Sequence, residues 1–229
     1  MAFEISARDA LLIIDPQNDF CPGGSLAVAG GDEIMAPIAE LAARFRDAGG
    51  LVVITQDWHP AGHSSFASQH PGASPFGTAE LAYGTQVLWP DHCVQGSGGA
   101  AFHPDLEQRG GVNAAALVVR KGYHRAIDSY SAFYENDKTT PTGLGGYLKS
   151  MGIGRVFLAG LAYDFCVAWS AIDAVEREGL QAVVLKDLTR AIALPAEEGG
   201  GTTVDAAERK FRGLGVEVAT SDALGCWSG

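Results

Sequence analysis

The side chains able to do chemistry gather at a few points of the 229-residue chain. Cys166 stands in Gly160-Leu161-Ala162-Tyr163-Asp164-Phe165-Cys166-Val167, where a buried apolar run gives way to a helical pattern. Near the first turn of a helix, unpaired N–H groups and the positive end of the helix dipole favour a thiolate. A cysteine at such a junction serves equally as a small buried hydrophobe. A thiol nucleophile needs a base within reach and a way to hold the charge that develops on the substrate oxygen. Asp15 is the candidate base, provided burial raises its pKa towards the thiol's. Lys121 would offset the negative charge, and N–H groups at the helix start are candidates for the oxyanion hole. Asp15 and Lys121 fit a buried ion pair joining neighbouring loops equally well. Cys93, beside His92, lacks the strand-to-helix setting and ranks below Cys166.

A second constellation has metal-binding character. Asp57-Trp58-His59 places a carboxylate and an imidazole at i and i+2, on the same side of an extended chain. His63 follows four residues later, and His92 lies in Trp89-Pro90-Asp91-His92-Cys93-Val94. Aspartate with histidine suits one divalent ion, zinc first and iron or manganese as alternatives, with positions open for water or substrate.

The elements that must position these groups follow from the apolar pattern. Ala10–Ile14 (ALLII), Leu51–Thr55 (LVVIT), Ala116–Arg120 (ALVVR), Arg155–Ala159 (RVFLA), Ala182–Leu185 (AVVL) and Val216–Ala219 read as strands. Helices are expected from an Asp32 cap through Ala48, up to Met151-Gly152, from Cys166 towards Gly179, and over Val204–Leu214. Trp58 to about Gln108 shows neither period, and Glu197–Thr203 reads as a surface loop. Strands alternating with helices indicate a parallel sheet covered on both faces, whose ligands bind at the carboxyl ends of the strands. Asp15, Asp57, Lys121 and Cys166 each follow such a strand.

The length accommodates one α/β domain over residues 1–229. A net charge of −11 argues against nucleic acid or an anionic membrane as partner, and no apolar stretch is long enough to span a bilayer. Four separated cysteines without a CxxC pair and no export signal imply free thiols and a cytoplasmic setting.

The segments ALLIIDPQNDFCPGGSL, TQDWHPAGHSSFASQHPG, LWPDHCVQGSGGAAFHPDL, VRKGYHRAIDSYSAF and AGLAYDFCVAWSAIDA resemble the nicotinamidase/pyrazinamidase branch of the isochorismatase-like cysteine hydrolases. The resemblance runs from about Ala10 to Thr189 and is loose beyond. It implies a three-layer α/β/α sandwich on a six-stranded, mainly parallel sheet of order 3-2-1-4-5-6. It also implies hydrolysis of nicotinamide to nicotinate and ammonia in NAD salvage, with pyrazinamide as a further substrate. Asp15, Lys121 and Cys166 match the catalytic triad, and Asp57, His59 and His92 the metal ligands. His63 matches a histidine that binds the metal directly in some members and through water in others. A cis peptide before Ala162 would aim the N–H groups of Ala162 and Cys166 at the oxyanion. Phe20, Trp89 and Tyr130 match aromatic positions of the pyridine pocket, and Phe165 stands beside the nucleophile where members differ. The alternatives are a related small-amide or ureido hydrolase, or a non-catalytic metal-binding module of the same fold. Oligomeric state is not implied.

Overall fold

The computed structural model describes residues 3–196 and 200–225. Its centre is β1 (Asp9–Ile14), buried at every position. In chain order follow α1 (Met35–Asp47), β2 (Leu51–Asp57), β3 (Thr78–Leu81), β4 (Gly84–Val87), α2 (Pro104–Gln108), α3 (Gly111–Ala114) and β5 (Leu117–Lys121). The second half adds α4 (Leu144–Ser150), β6 (Arg155–Leu161), α5 (Ala168–Glu176), β7 (Gln181–Arg190), α6 (Thr203–Leu214) and β8 (Glu217–Ala219). Six strands pair in the order β5-β2-β1-β6-β7-β8, every pair parallel. Counted within this sheet, the succession is the expected 3-2-1-4-5-6. The strand numbers differ because β3 and β4 form a separate antiparallel hairpin.

A continuous apolar strand buries both faces only if helices cover both. Alternate residues of β1 divide accordingly. Leu11 and Ile13 join Ile38, Leu41 and Phe45 of α1, with Leu106 of α2 and Ala114 of α3. Ala10, Leu12 and Ile14 join Leu144 and Leu148 of α4, Ala171 and Ile172 of α5 and Phe211 of α6. The result is three layers. At about 25 cal/mol per Å² of apolar surface, these two faces supply the main stabilisation. α6 opens on a capping box between Thr202 and Asp205 and stops at Gly215 in the left-handed region.

Three local expectations need correction. Asp32 does not cap α1: the chain already turns helically from Gly31, so Asp32 lies inside a short 3-10 turn (Asp32–Ile34) and cannot take the extended cap conformation. The stretch Trp58–Gln108 is not irregular throughout, since it contains the hairpin and α2. The hairpin strands are four residues long and mostly exposed, so they carry no apolar alternation to read. Finally, β2, β5 and β6 run further than their apolar cores suggest, making Asp57 and Lys121 the last residues of their strands. Of the loop expected at Glu197–Thr203, residues 197–199 lie outside the described residues. Cys21, Cys93 and Cys166 are free thiols; Cys226 lies outside the description. No helix among the described residues is long and apolar enough to cross a membrane.

The sheet order reverses between β1 and β6, the topological switch point where open α/β sheets bind ligands. Ile14 of β1 is in register with Gly160 of β6, and Asp57 of β2 with Lys121 of β5. Four adjacent strands therefore deliver Lys121, Asp57, Asp15 and the segment leading to Cys166 to one edge.

Candidate active site

β1 and β6 approach so closely at this edge that a Cβ on Gly160 would fall 2.1 Å from the Ile14 carbonyl oxygen, and Gly160 has φ +112°. Only glycine fits both demands. Immediately beyond, Asp15 takes φ +44° and the Leu161–Ala162 peptide is cis. Asp15 is anchored by Thr55, whose hydroxyl donates to Oδ1 at 2.6 Å and accepts from the Asp15 N–H at 3.0 Å. A π-helical turn, Tyr163–Val167, then carries Cys166 into α5.

Lys121 ties these groups together. It is fully buried, and its Nζ lies 2.5 Å from Asp57 Oδ1, 2.8 Å from the Ser129 carbonyl and 3.5 Å from Cys166 Sγ. Asp15 Oδ2 is 2.8 Å from the same Nζ, so one ammonium is shared among two carboxylates, a carbonyl and the sulfur. A carboxylate oxygen offers two lone pairs, which leaves one on Oδ2 for the thiol proton. An Asp15 oxygen lies within 4.8 Å of Cys166 Sγ, so the thiol proton has an acceptor at hand.

The electrostatics fix where protons rest. Burial raises the Asp15 pKa, Lys121 opposes it, and the nearby Asp57 adds to it, leaving it at about 6. Burial pushes the Cys166 thiol well above its ordinary range; Lys121 pulls it down, while Asp15 and Asp57 push it further up. Cys166 is thus a thiol at rest, which corrects the thiolate expected from its position at a helix start. The N–H groups of Phe165 and Val167 are spent on the Ala162 carbonyl, at 3.1 Å each, and two carboxylates stand close by. For Lys121, burial favours the neutral amine, but Asp15 and Asp57 outweigh it and hold the ammonium charged. Asp57 is likewise buried, yet Lys121 and His59 hold it well below the carboxylate range.

Asp57 also faces the histidines. Its Oδ2 is 3.7 Å from His59 Nε2 and 4.0 Å from His92 Nε2. His59 Nδ1 lies 2.8 Å from the Gly122 carbonyl and His92 Nδ1 2.8 Å from the Pro90 carbonyl. A carbonyl only accepts, so both Nδ1 atoms carry protons, and His92 Nε2 presents a lone pair. Burial lowers the His59 pKa, but Asp57 and Asp128 outweigh it and raise it, so a cation would take the place of the His59 Nε2 proton. Burial and the neighbouring His59 push the His92 pKa down to about 4, the neutral form a ligand requires. His59 Nε2 is buried without a hydrogen-bond partner. Two imidazole nitrogens and a carboxylate oxygen within 4.8 Å of one another fit a divalent cation, with each Nδ1 anchored as metal-bound histidines require. Gly122 contributes by size as well: φ is +64°, and a Cβ there would meet His59 Cε1 at 2.4 Å.

His63 packs beside this set, its ring 4.4 Å from that of His59. Its Nε2 donates to the Ile127 carbonyl at 3.2 Å and its Nδ1 meets Ser65 Oγ at 2.8 Å. It groups with His59 and Asp128 rather than with Asp57 and His92.

Phe20, Trp89, Tyr130, Phe165 and Ala162 line the pocket over Cys166, together with Leu26, Asp128 and Ile192. The fold and this arrangement agree with comparisons to known proteins. Residues 9–222 match the Isochorismatase domain. The chain belongs to the isochorismatase family. The match passes Thr189, where the recognisable segments end. Among curated isochorismatase-family relatives, a nicotinamidase of Acinetobacter baylyi is 54% identical over 183 residues, covering 80% of this chain and 81% of that one. An Escherichia coli nicotinamidase is 41% identical, covering 82% and 86%. Among solved structures, an Acinetobacter baumanii nicotinamidase/pyrazinamidase superposes with TM-score 0.85 at 49% identity, covering 94% and 97%. A pyrazinamidase of Pyrococcus horikoshii in complex with zinc gives 0.70 at 30%, covering 93% and 99%.

Several residues that shape the site were not singled out in the sequence. Gln17 pairs with both backbone groups of Asp57, accepting from its N–H and donating to its carbonyl at 2.8 Å each. Thr55 orients Asp15, and Ser129 receives Lys121. Asp128 lines the pocket and accepts from Gln86 at 2.8 Å. Thr55 carried a usable signal, a polar residue closing an otherwise apolar strand. Gln86, buried but on a short hairpin without apolar alternation, carried none.

Proposed function

We propose that this chain is a nicotinamidase, a cysteine amidohydrolase that converts nicotinamide to nicotinate and ammonia and also takes pyrazinamide. One observation carries the reading: a single buried ammonium, Lys121, joins two carboxylates and a thiol, with Nζ 2.8 Å from Asp15, 2.5 Å from Asp57 and 3.5 Å from Cys166. The relatives at 54% and 41% identity, both named nicotinamidases, support it.

In this mechanism Asp15 Oδ2 takes the thiol proton as Cys166 Sγ bonds to the amide carbon. Lys121 keeps the growing thiolate from facing two carboxylates unscreened. The oxyanion lies against the N–H groups of Ala162 and Cys166. Asp15 returns its proton to the departing nitrogen, which leaves as ammonia, and an acyl-thioester remains on Cys166. Asp15 then deprotonates water, whose oxygen bonds to the acyl carbon; the C–S bond breaks, Asp15 returns that proton to the Cys166 sulfur, and the product leaves as nicotinate with its carboxyl proton lost to solvent. Asp57, His59 and His92 would hold one divalent ion, zinc first with iron or manganese as alternatives, supplying a Lewis acid that orients and polarises the heteroaromatic ring. The aromatic walls Phe20, Trp89, Tyr130 and Phe165 hold the ring and exclude water.

Incubation of the metal-loaded protein with nicotinamide should release ammonia and nicotinate in equal amounts. No release from nicotinamide, with turnover of another amide or a ureido compound, would replace the substrate assignment.

A further inference from the structure

Beside Cys166 the pocket leaves about 20 Å³ of space, room for roughly one water. A pyridine ring needs more room than that, which a turned wall side chain would supply. Behind one wall lies a second space, a cleft of about 650 Å³ open to solvent, within the size range of small-molecule sites. Phe165 and Tyr130 border both spaces. Tyr130 is held: Gln86 Nε2 and Trp89 Nε1 approach its hydroxyl at 2.8 and 3.2 Å. Phe165 is buried in the core cluster and meets Trp89 and Tyr130 edge-on, with ring centroids 5.0 Å and 5.6 Å away. Phe165 is therefore the wall that has room behind it and no polar anchor.

The cleft is lined mainly by apolar groups, among them Val87 of β4, Trp169 and Ile172 of α5, Leu194, and Ala206 of α6. Its buried carboxylate, Asp164, is already paired: Oδ1 accepts from the Ile192 N–H, and Oδ2 from the Ala193 N–H and the Thr203 hydroxyl. Lys210 also borders the cleft but is solvent-exposed, so an uncharged apolar or aromatic group matches the buried part of this lining, where no unpaired acid is left to be desolvated.

We infer that Phe165 is a movable partition, and that the cleft behind it is a subsite for uncharged apolar ring substituents of aryl carboxamides. The inference rests on the amidohydrolase reading for the position of the amide, and it deepens that reading by naming the substrate class admitted.

The probes are nicotinamide and its ring-phenylated positional isomers, with turnover read as ammonia release and binding read by calorimetry. Phe165→Ala should raise kcat/KM for at least one phenylated isomer, relative to nicotinamide, by about tenfold or more over the unaltered protein. Phe165→Leu, which keeps more of the packing, should show a smaller gain and carries the test if the alanine variant does not fold. Adding Ala206→Trp, which fills the cleft from α6, should abolish the gain; alone, it should leave nicotinamide turnover unchanged. A folded Phe165 variant with no gain for any isomer overturns the inference, as does a gain that survives Ala206→Trp. If the unaltered protein does not hydrolyse nicotinamide, the functional reading falls separately. Calorimetric binding of the phenylated isomers to the same variants still decides the subsite.

Discussion

Thr55→Val tests whether Asp15 is the proton acceptor, because it changes one hydroxyl and little volume. Thr55 is fully buried, and its hydroxyl donates to Asp15 Oδ1 at 2.6 Å. That bond favours the carboxylate, so removing it raises a pKa already lifted to about 6 by burial. A hydrogen bond to a charged group contributes about 1.5–3 kcal/mol, and one pH unit corresponds to about 1.36 kcal/mol. With Lys121 still 2.8 Å away, the low end applies, and the acid limb of kcat/KM should move from about 6 to about 7. At pH 6 turnover should fall ~fivefold relative to the unaltered protein, while the plateau in mild alkali is kept. Stability has its own sign. Asp15 has a raised pKa in the fold, so its contribution is complete below 3.8, lost as pH rises through about 6, and absent above. In the variant that loss continues through about pH 7, so the stability deficit should be about 1 kcal/mol larger at pH 7 than in acid, and about 1.4 kcal/mol larger in mild alkali. A constant deficit of about 1–3 kcal/mol accompanies it, because the Asp15 N–H loses its acceptor. The measurements are a pH series of ammonia release and urea titrations at two pH values. A folded variant whose acid limb stays put, or moves to lower pH, would remove Asp15 from the role of base.

Three further outcomes are expected. Cys166→Ala should lower turnover by about 10⁴-fold or more, whereas Cys93→Ala should retain it; the reverse result in ammonia release would exchange the two thiols. Asp57→Ala should bring the bound divalent metal of dialysed protein to background in elemental analysis, and chelation of the unaltered protein should abolish turnover until metal is restored. An unchanged metal content would contradict the ligand set. Gly160→Ala should cost more than about 3 kcal/mol in chemical denaturation, because its Cβ would fall 2.1 Å from the Ile14 carbonyl oxygen at φ +112°; a near-normal midpoint would show that β1 and β6 can separate there.

Much of this protein was legible without coordinates. Apolar runs ending at Asp15, Asp57 and Lys121 indicated strands, and strand–helix alternation indicated a covered parallel sheet, because periodicity is a local property of the chain. The same strand ends nominated the acid, the ammonium and the metal-binding pair. Family segments named Phe20, Trp89 and Tyr130, which pattern alone would have left in aperiodic loops, and gave His92, already a candidate ligand, its place in the metal set. Tertiary structure decided what these residues are to one another. Asp57 and Lys121 are 64 residues apart and meet only because β2 and β5 pair in that register. The protonation of Cys166, the ion pair at Asp15 Oδ2, the role of Gln17 under Asp57 and the space behind Phe165 all depend on burial and on partners distant in sequence. Local sequence sets which way a side chain points along its own strand; long-range packing sets which charge, carbonyl or cavity it finds there.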